Sequence, residues 1–167
     1  MGMLSYFTTL ALLFIPCAGV AARSADTVSL AVSPTEVHTT LGQAVDIAVR
    51  FTNTSSTATY VSRAAVTYLE YAVKDSAGRV LVPFSDPPAP PPTPYAGEDF
   101  IWLNPGQSFV FRQHIPLASW GIKSAGRYTV VAFSNGTVAT EAEWRHKKYG
   151  VFFSFAPQVT VVVESTK

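Results

Sequence analysis

The amino-acid sequence predicts an all-β protein in which two antiparallel sheets pack face to face. Short segments that alternate apolar and polar residues begin at Val28 and are separated by closely spaced turn residues. The clearest segment, Val45–Phe51, places an apolar side chain at every second position. About seven to nine such strands fit into the chain, and a two-sheet sandwich buries the apolar face of each.

The stretch Ser124–Ala132 narrows this prediction to an immunoglobulin-like sandwich. Gly126 stands two residues before Tyr128, where a turn leads into a strand. In a tyrosine corner the glycine allows the backbone to bend without steric strain, and the tyrosine ring enters the core. The tyrosine hydroxyl then forms a hydrogen bond with a backbone group a few residues upstream. Gly126 and Tyr128 are therefore assigned structural roles.

The segments before residue 87 follow the same rules. Val28–Val32 alternates and stops at a Ser-Pro pair, and Val45–Phe51 follows a glycine-containing turn. Leu69–Lys74 and Arg79–Phe84 flank the polar turn Asp75–Gly78. This arrangement predicts a β-hairpin.

The segments after residue 100 complete the pattern. Phe109–Ile115 alternates as a strand, and Leu117–Ile122 is expected to form one irregular or helical turn. The pair Asn135-Gly136 predicts a tight turn, and Val159–Val163 closes the sandwich as a final strand. The core residues expected from these patterns include Val45, Ile47, Val49, Phe109, Phe111, Val130, Val159 and Val161.

The N-terminal residues predict a secretory signal peptide. The apolar run Leu10–Ile15 is followed by Pro16 and small residues, which places signal cleavage after Ala22. The run is shorter than the ~20 residues that a membrane-spanning helix needs. A lipoprotein would use Cys17 as its lipidated residue, but a proline stands where that motif has a small residue.

The chain therefore divides into a signal peptide over residues 1–22, a short linker over 23–27 and one sandwich domain over 28–164. We expect a secreted or periplasmic protein with no transmembrane segment after signal cleavage. The composition is 48% hydrophobic and 14% charged, which argues against disorder. The net charge of +1 gives no electrostatic reason to expect nucleic-acid binding. Cys17 is the only cysteine, so no internal disulfide is possible.

Enzyme signatures are missing from the sequence. It contains no G-x-S-x-G elbow, no H-E-x-x-H and no glycine-rich phosphate loop. His38, His114 and His146 lie on separate segments without metal-ligand spacing. We therefore expect no catalytic activity, no cofactor and no metal site. A hydrolase whose residues are assembled across loops is the alternative.

Two loops stand out as candidate binding surfaces. The first is proline-rich and is expected to be an extended surface loop, acting either as a cover for a sheet edge or as a presented ligand. The second is basic and aromatic; an ordinary solvated loop explains it, and as a patch it suits an acidic partner or an anionic membrane surface. The residues concerned are Pro87, Pro88, Pro90, Pro91, Pro92, Pro94 and Tyr95 in the first loop, and Trp144, Arg145, His146, Lys147, Lys148 and Tyr149 in the second.

Three segments, Lys74–Arg79, Leu103–Ser108 and Ala125–Val130, follow in an order that resembles the immunoglobulin-like domains of secreted bacterial proteins. The same order resembles the intracellular proteinase inhibitor (BsuPI-type) family and the immunoglobulin-like segments of secreted metallopeptidases. The resemblance covers roughly residues 28–164, and the signal peptide departs from the intracellular inhibitor type. It implies a non-catalytic binding module with a protein partner, in the most specific form a peptidase-binding or inhibitory domain. The alternative is a structural or assembly component of the cell envelope.

Overall fold

A computed structural model describes residues 27–67, 69–86 and 100–165. Strands dominate these residues, and the helical pieces are short. The strands are β1 (Val28–Ser33), β2 (Glu36–Thr40), β3 (Ala44–Asn53), β4 (Thr59–Ser62), β5 (Glu70–Asp75), β6 (Val80–Val82), β7 (Phe100–Leu103), β8 (Ser108–Pro116), β9 (Gly126–Ala139), β10 (Gly150–Phe155) and β11 (Val159–Glu164). The helices are α1 (Arg63–Thr67) and α2 (Glu141–Arg145), and a 3-10 turn spans Leu117–Trp120, where a helical turn was expected.

The strands form two sheets that pack as the predicted immunoglobulin-like sandwich. The small sheet has the order β1-β3-β8. The large sheet has the order β2-β11-β9-β4-β7, with β10 and β5 also paired to β9, and β6 paired to β5. All pairs are antiparallel except β11 with β2. Six of the eight predicted core residues are buried between the sheets, namely Val45, Ile47, Val49, Val130, Val159 and Val161.

Phe109 and Phe111 are only partly buried, which corrects the prediction that they lie fully in the core. Both rings face inward and pack against the core cluster. They lie on β8, which is the last strand of the small sheet in the part of the chain described. With no strand beyond β8 there, one side of each ring stays accessible.

Long strand β9 organises the large sheet. On one edge it pairs with β10 and then with β11. The pairing register against β9 shifts by one residue between the last pair of β10, Phe155 with Phe133, and the first pair of β11, Val159 with Val130. The shift falls at Pro157, which has no N–H to continue the ladder. On the other edge β9 pairs with β4 and β5, and α1 interrupts that path. Counting each interrupted path as one strand gives nine among the described residues, at the upper end of the expected range.

Asn135-Gly136 does not form the predicted turn, because both residues lie inside β9. Gly136 is required by close packing instead. A Cβ atom at this position would lie 2.2 Å from the Cβ of Ala65 on α1 and 2.7 Å from Cε1 of Phe152 on β10. The glycine therefore lets α1 and a buried ring approach the strand, and this long-range contact overrides the local turn preference.

The tyrosine corner has the geometry that its sequence indicates. Tyr128 is buried, and its hydroxyl donates a hydrogen bond to the backbone oxygen of Ser124 at 2.8 Å. Gly126 has a φ of 154°, a conformation that residues with a Cβ rarely adopt. The corner fixes the start of β9 against the core.

The predicted hairpin is also present, as β5 paired with β6. Asp75 closes its turn, since one carboxylate oxygen accepts from the backbone N–H groups of Ala77 at 3.0 Å and Arg79 at 2.9 Å. The bond from the Arg79 backbone is the main reason that the pKa of the Asp75 carboxyl lies below its ordinary value. Among the described helices, none has the length and apolar character needed to cross a bilayer.

Candidate binding site

The structure describes one of the two predicted binding loops. Residues 87–99, which include the proline-rich run and Tyr95, lie outside the described residues, as does the predicted signal peptide. The basic and aromatic segment is described, and it forms the last turn of α2 and the residues that follow. Trp144 and Tyr149 are partly buried, whereas the four residues between them, Arg145, His146, Lys147 and Lys148, are exposed.

Both ends of α2 are held by local hydrogen bonds, so this segment has a defined structure. At the start, Thr140 and Glu143 form a capping box in which each side chain bonds to the other residue's backbone N–H. At the end, Lys147 adopts a left-handed conformation with a φ of 54°. The N–H of Lys148 donates to the Glu143 carbonyl at 2.8 Å, and that of Lys147 donates to the Trp144 carbonyl at 3.0 Å. These two bonds form a Schellman arrangement, which ends the helix.

Helix α2 was not expected from the sequence, although one signal for it is visible there. The spacing Thr140-x-x-Glu143 is the pattern of a capping box. It is placed immediately after the last buried residues of β9. Because the helix is only five residues long, it has no hydrophobic period of its own that would have disclosed it.

An aromatic cluster fastens α2 to the outer face of the large sheet. Tyr60 on β4 is central to it, with ring centroids 4.4 Å from Trp102 on β7 and 5.0 Å from Trp144 on α2. Phe100 lies 4.7 Å from Trp144 and stacks on Tyr149 at 5.6 Å. The cluster therefore uses Trp144 and Tyr149 as packing residues, and it supports one side of Trp102.

Trp102 forms one wall of a groove that α2 closes on the other side. Trp102 is 38% exposed, so part of its indole is accessible from the groove. The groove has a volume of about 570 Å³. It is lined by Thr57, Ala58, Trp102, Thr140, Glu141, Ala142 and Arg145.

Asn53 sets the shape of this groove from inside the sandwich, a role that its sequence context did not reveal. The residue is fully buried, and its Nδ2 donates to the carbonyls of Thr57 at 2.8 Å and Leu103 at 3.0 Å. Its Oδ1 accepts from the backbone N–H of Ser55 at 3.0 Å. The amide thus ties the loop that carries Ala58 to the strand that carries Trp102.

Asn53-Thr54-Ser55 has the sequence pattern of an N-glycosylation site, and the hydrogen bonds of Asn53 bear on it. Glycosylation would replace one of the two N–H groups that Asn53 donates, and it would need space that a fully buried side chain does not have. The folded domain is therefore incompatible with a glycan on Asn53. The sequence pattern alone does not reveal this, because burial depends on β7, which lies about fifty residues away.

Two charged side chains, Glu141 and Arg145, line the groove, and further cations follow Arg145 in the chain. Arg145 forms an ion pair with Glu141 one helical turn earlier. Lys147 and Lys148 follow as exposed cations, with His146 between them and Arg145. Exposed pairs of this kind contribute little to stability, so these side chains are available to a partner at small cost.

The histidines do not meet in a common site. His38 contacts Glu36 at 3.1 Å, and His114 contacts Asp46 at 2.8 Å across the small sheet. Over residues 27–67, 69–86 and 100–165, no group of three or more His, Cys, Asp or Glu side chains could hold a metal ion.

Comparisons with known proteins show no family for this chain. No protein-family model matches the chain, and no curated protein sequence matches it either. Among solved structures, the chain is similar to the ASH/PapD-like domain of human CEP192 (PapD-like domain 7). The sequence identity is 12% and the TM-score 0.38, with 97% of this chain and 100% of that domain covered. A likeness of this size transfers no function.

Proposed function

We propose that the protein is a secreted or periplasmic, non-catalytic module that binds a protein partner in the groove beside Trp102. The observation that carries this proposal is the partly exposed indole, held between an aromatic cluster and a capped helix. Tryptophan, tyrosine and arginine are the residue types that dominate binding energy at protein interfaces. Trp102, Tyr60 and Arg145 supply all three within one small area.

The groove also indicates the chemistry of the partner. An apolar side chain of the partner would pack on Trp102 between the Thr57–Ala58 loop and α2. Acidic side chains beside it would meet Arg145, which lines the groove, and the exposed Lys147 and Lys148 that follow it in the chain. Because the buried amide of Asn53 and the two caps of α2 fix both walls, little conformational freedom is lost on binding.

The most specific form of the proposal is that the partner is a secreted peptidase. The sequence resemblance supports this form, and a stiff proline-rich loop would enter a peptidase cleft at low entropic cost. An inhibitor of this type slows the peptidase at near-stoichiometric amounts and loses the effect when Pro87–Pro94 is replaced by Gly and Ser. An assembly component of the envelope, the alternative, shows no inhibition and copurifies with a fixed partner.

Affinity capture from the native host, followed by mass spectrometry, tests the proposal. Wild-type protein is compared with Trp102→Ala and with Phe155→Ala, a control at an exposed aromatic residue (60% exposed) on another strand of the large sheet. We expect a partner that Phe155→Ala retains and that Trp102→Ala binds at least about tenfold more weakly. A partner that both variants retain equally would contradict the assignment of the groove.

The absence of catalysis is part of the proposal and has its own test. A broad hydrolase screen on purified protein is expected to show no activity above background. Activity that copurifies with the protein and is lost on substitution of His114 or His146 would replace the proposal with the hydrolase alternative.

A further inference from the structure

Strand β8 presents an open edge with a regular set of backbone hydrogen-bonding groups. Asn53 donates to the Gln107 carbonyl at 3.0 Å, and Leu117 donates to the Gln43 carbonyl at 3.1 Å. In an antiparallel pair, every second residue directs both its N–H and its C=O group toward the partner strand. The two bonds and the register show that these are the odd-numbered residues of β8, so the even-numbered residues direct their N–H and C=O groups away from β3. In the part of the chain that the structure describes, no strand pairs with that side of β8. The outward groups belong to Ser108, Val110, Arg112 and His114.

A groove runs beneath this edge, between β8 and the β5–β6 hairpin. Its volume is about 370 Å³, and Tyr71, Val82, Ile115 and Trp120 line it. The hydroxyl of Tyr71 donates to Oε1 of Gln113, which links the hairpin to β8 at the floor. The inward side chains of β8 are only partly buried because nothing among the described residues covers them from this side.

The indole of Trp120 is an independent sign that this groove takes a ligand. Trp120 is 2% exposed and packs against Tyr71 with ring centroids 5.4 Å apart. Its Nε1–H is the only buried side-chain polar group of the described residues that has no hydrogen-bond partner. A buried indole N–H normally finds an acceptor. Trp120 also lines the groove, so an occupant that reached this N–H would supply the acceptor.

We propose that β8 binds an extended segment of a partner protein, which adds a fourth strand to the small sheet. Main-chain groups of the segment bond to the even-numbered residues of β8, and alternate side chains enter the groove. The inward side chains are apolar, to match Val82 and Ile115, and a carbonyl or amide oxygen of the segment accepts from Trp120. This surface lies on the small sheet, so it stands or falls separately from the groove beside Trp102.

The charges around β8 favour a partner segment with acidic outward residues. Arg112 on β8 and Arg50 on β3 are exposed on the outer face, while Asp46 is already engaged by His114 at 2.8 Å. A second copy of this chain is a poor occupant. Two β8 strands paired about their midpoint would set Arg112 against Arg112, and like charges directly opposite are destabilising.

The test uses ten-residue peptides in which apolar residues alternate with Asp or Glu, selected from a display library on the full secreted chain. A matched library carries Lys at the acidic positions. Binding of the selected peptides is measured by calorimetry, and contacts are mapped by amide hydrogen exchange and by the indole N–H resonance of Trp120. Two variants accompany the wild type, Arg112→Pro and Arg112→Lys. Proline is tolerated at this edge position because the amide of Arg112 points away from β3.

We expect peptides from the acidic library to protect the amides of Val110, Arg112 and His114 and to shift the Trp120 indole resonance. Arg112→Pro should weaken binding at least about tenfold through the lost edge bond and its steric block, while Arg112→Lys stays within about threefold. Selected peptides that bind Arg112→Pro as well as wild type, or that leave these amides unprotected, would overturn the proposal. So would failure to select any peptide, or protection of the same amides by self-association without peptide.

Discussion

Single polar residues in this sandwich matter according to whether water can replace their partners. Asn53 is fully buried, and one of the carbonyls to which it donates belongs to buried Leu103. Tyr128 is also buried, but its acceptor belongs to Ser124, which is exposed. Loss of the Asn53 amide therefore leaves the Leu103 carbonyl unpaired in the interior, whereas loss of the Tyr128 hydroxyl leaves a carbonyl that water can reach.

Changing each of these residues to its nearest isostere should lower the free energy of unfolding by different amounts. Asn53→Asp removes both donors and sets a carboxyl group against two carbonyls, with an expected cost of about 3 kcal/mol in the free energy of unfolding. Tyr128→Phe removes the hydroxyl's bonds to the carbonyl and to the Oγ of exposed Ser124, with an expected cost of about 1 kcal/mol because water can replace them. Urea denaturation of the two variants and wild type measures both. The reverse order of the two costs would contradict the burial of the Asn53 network.

At the scale of elements, β9 shows how one strand can serve four others. Its two edges pair with β10 and β11 on one side and with β4 and β5 on the other. The helix α1 sits where β4 ends and β5 begins, directly over Gly136. Strand β4 pairs with the strand that carries Trp102, and β5 belongs to the hairpin. The relative position of these two strands therefore depends on how closely α1 packs on β9.

A side chain at position 136 should displace α1. Gly136→Ala places a Cβ at 2.2 Å from that of Ala65, well inside contact distance. We expect a loss of about 2–3 kcal/mol in the free energy of unfolding, because overpacking forces the helix or the ring of Phe152 to move. Thermal and urea unfolding measure the loss.

A second change checks the cause of that loss. Ala65→Gly in the Gly136→Ala background removes the nearest clash, so part of the lost stability should return as a coupling energy in a double-mutant cycle. Additive effects of the two changes, or a Gly136→Ala variant as stable as wild type, would show that α1 does not pack on β9 as described.

The same elements show what the sequence could predict. The alternation in β3 and the turn residues around Gly78 and Gly106 are local signals, and the structure agrees with them. The Asn135-Gly136 signal is equally local, but packing from α1 overrides it. Trp102 and Arg145 meet only because β7 pairs with β4 and β4 pairs with β9, contacts that no local pattern encodes.

At the scale of the whole molecule, the two sheets differ in their number of strands. One candidate surface lies at the edge of the small sheet, and the other lies on the outer face of the large sheet. Over the residues that the structure describes, β8 is the last strand of the small sheet, and its inward side chains are only partly buried. The large sheet carries α2 and the aromatic cluster on its outer face, which produces the groove beside Trp102. A rigid sandwich with exposed aromatic and edge-strand surfaces suits a module that joins other proteins.

Site-specific photo-crosslinking in the native host tests the central claim most directly. A benzophenone side chain is introduced in place of Trp102, and in a control protein in place of Phe155, the more exposed of the two aromatic residues. The groove proposal predicts that position 102 forms an adduct with one discrete protein and that position 155 does not. Equal adducts from both positions, or an adduct from position 155 alone, would contradict the assignment of the binding site to the groove beside Trp102.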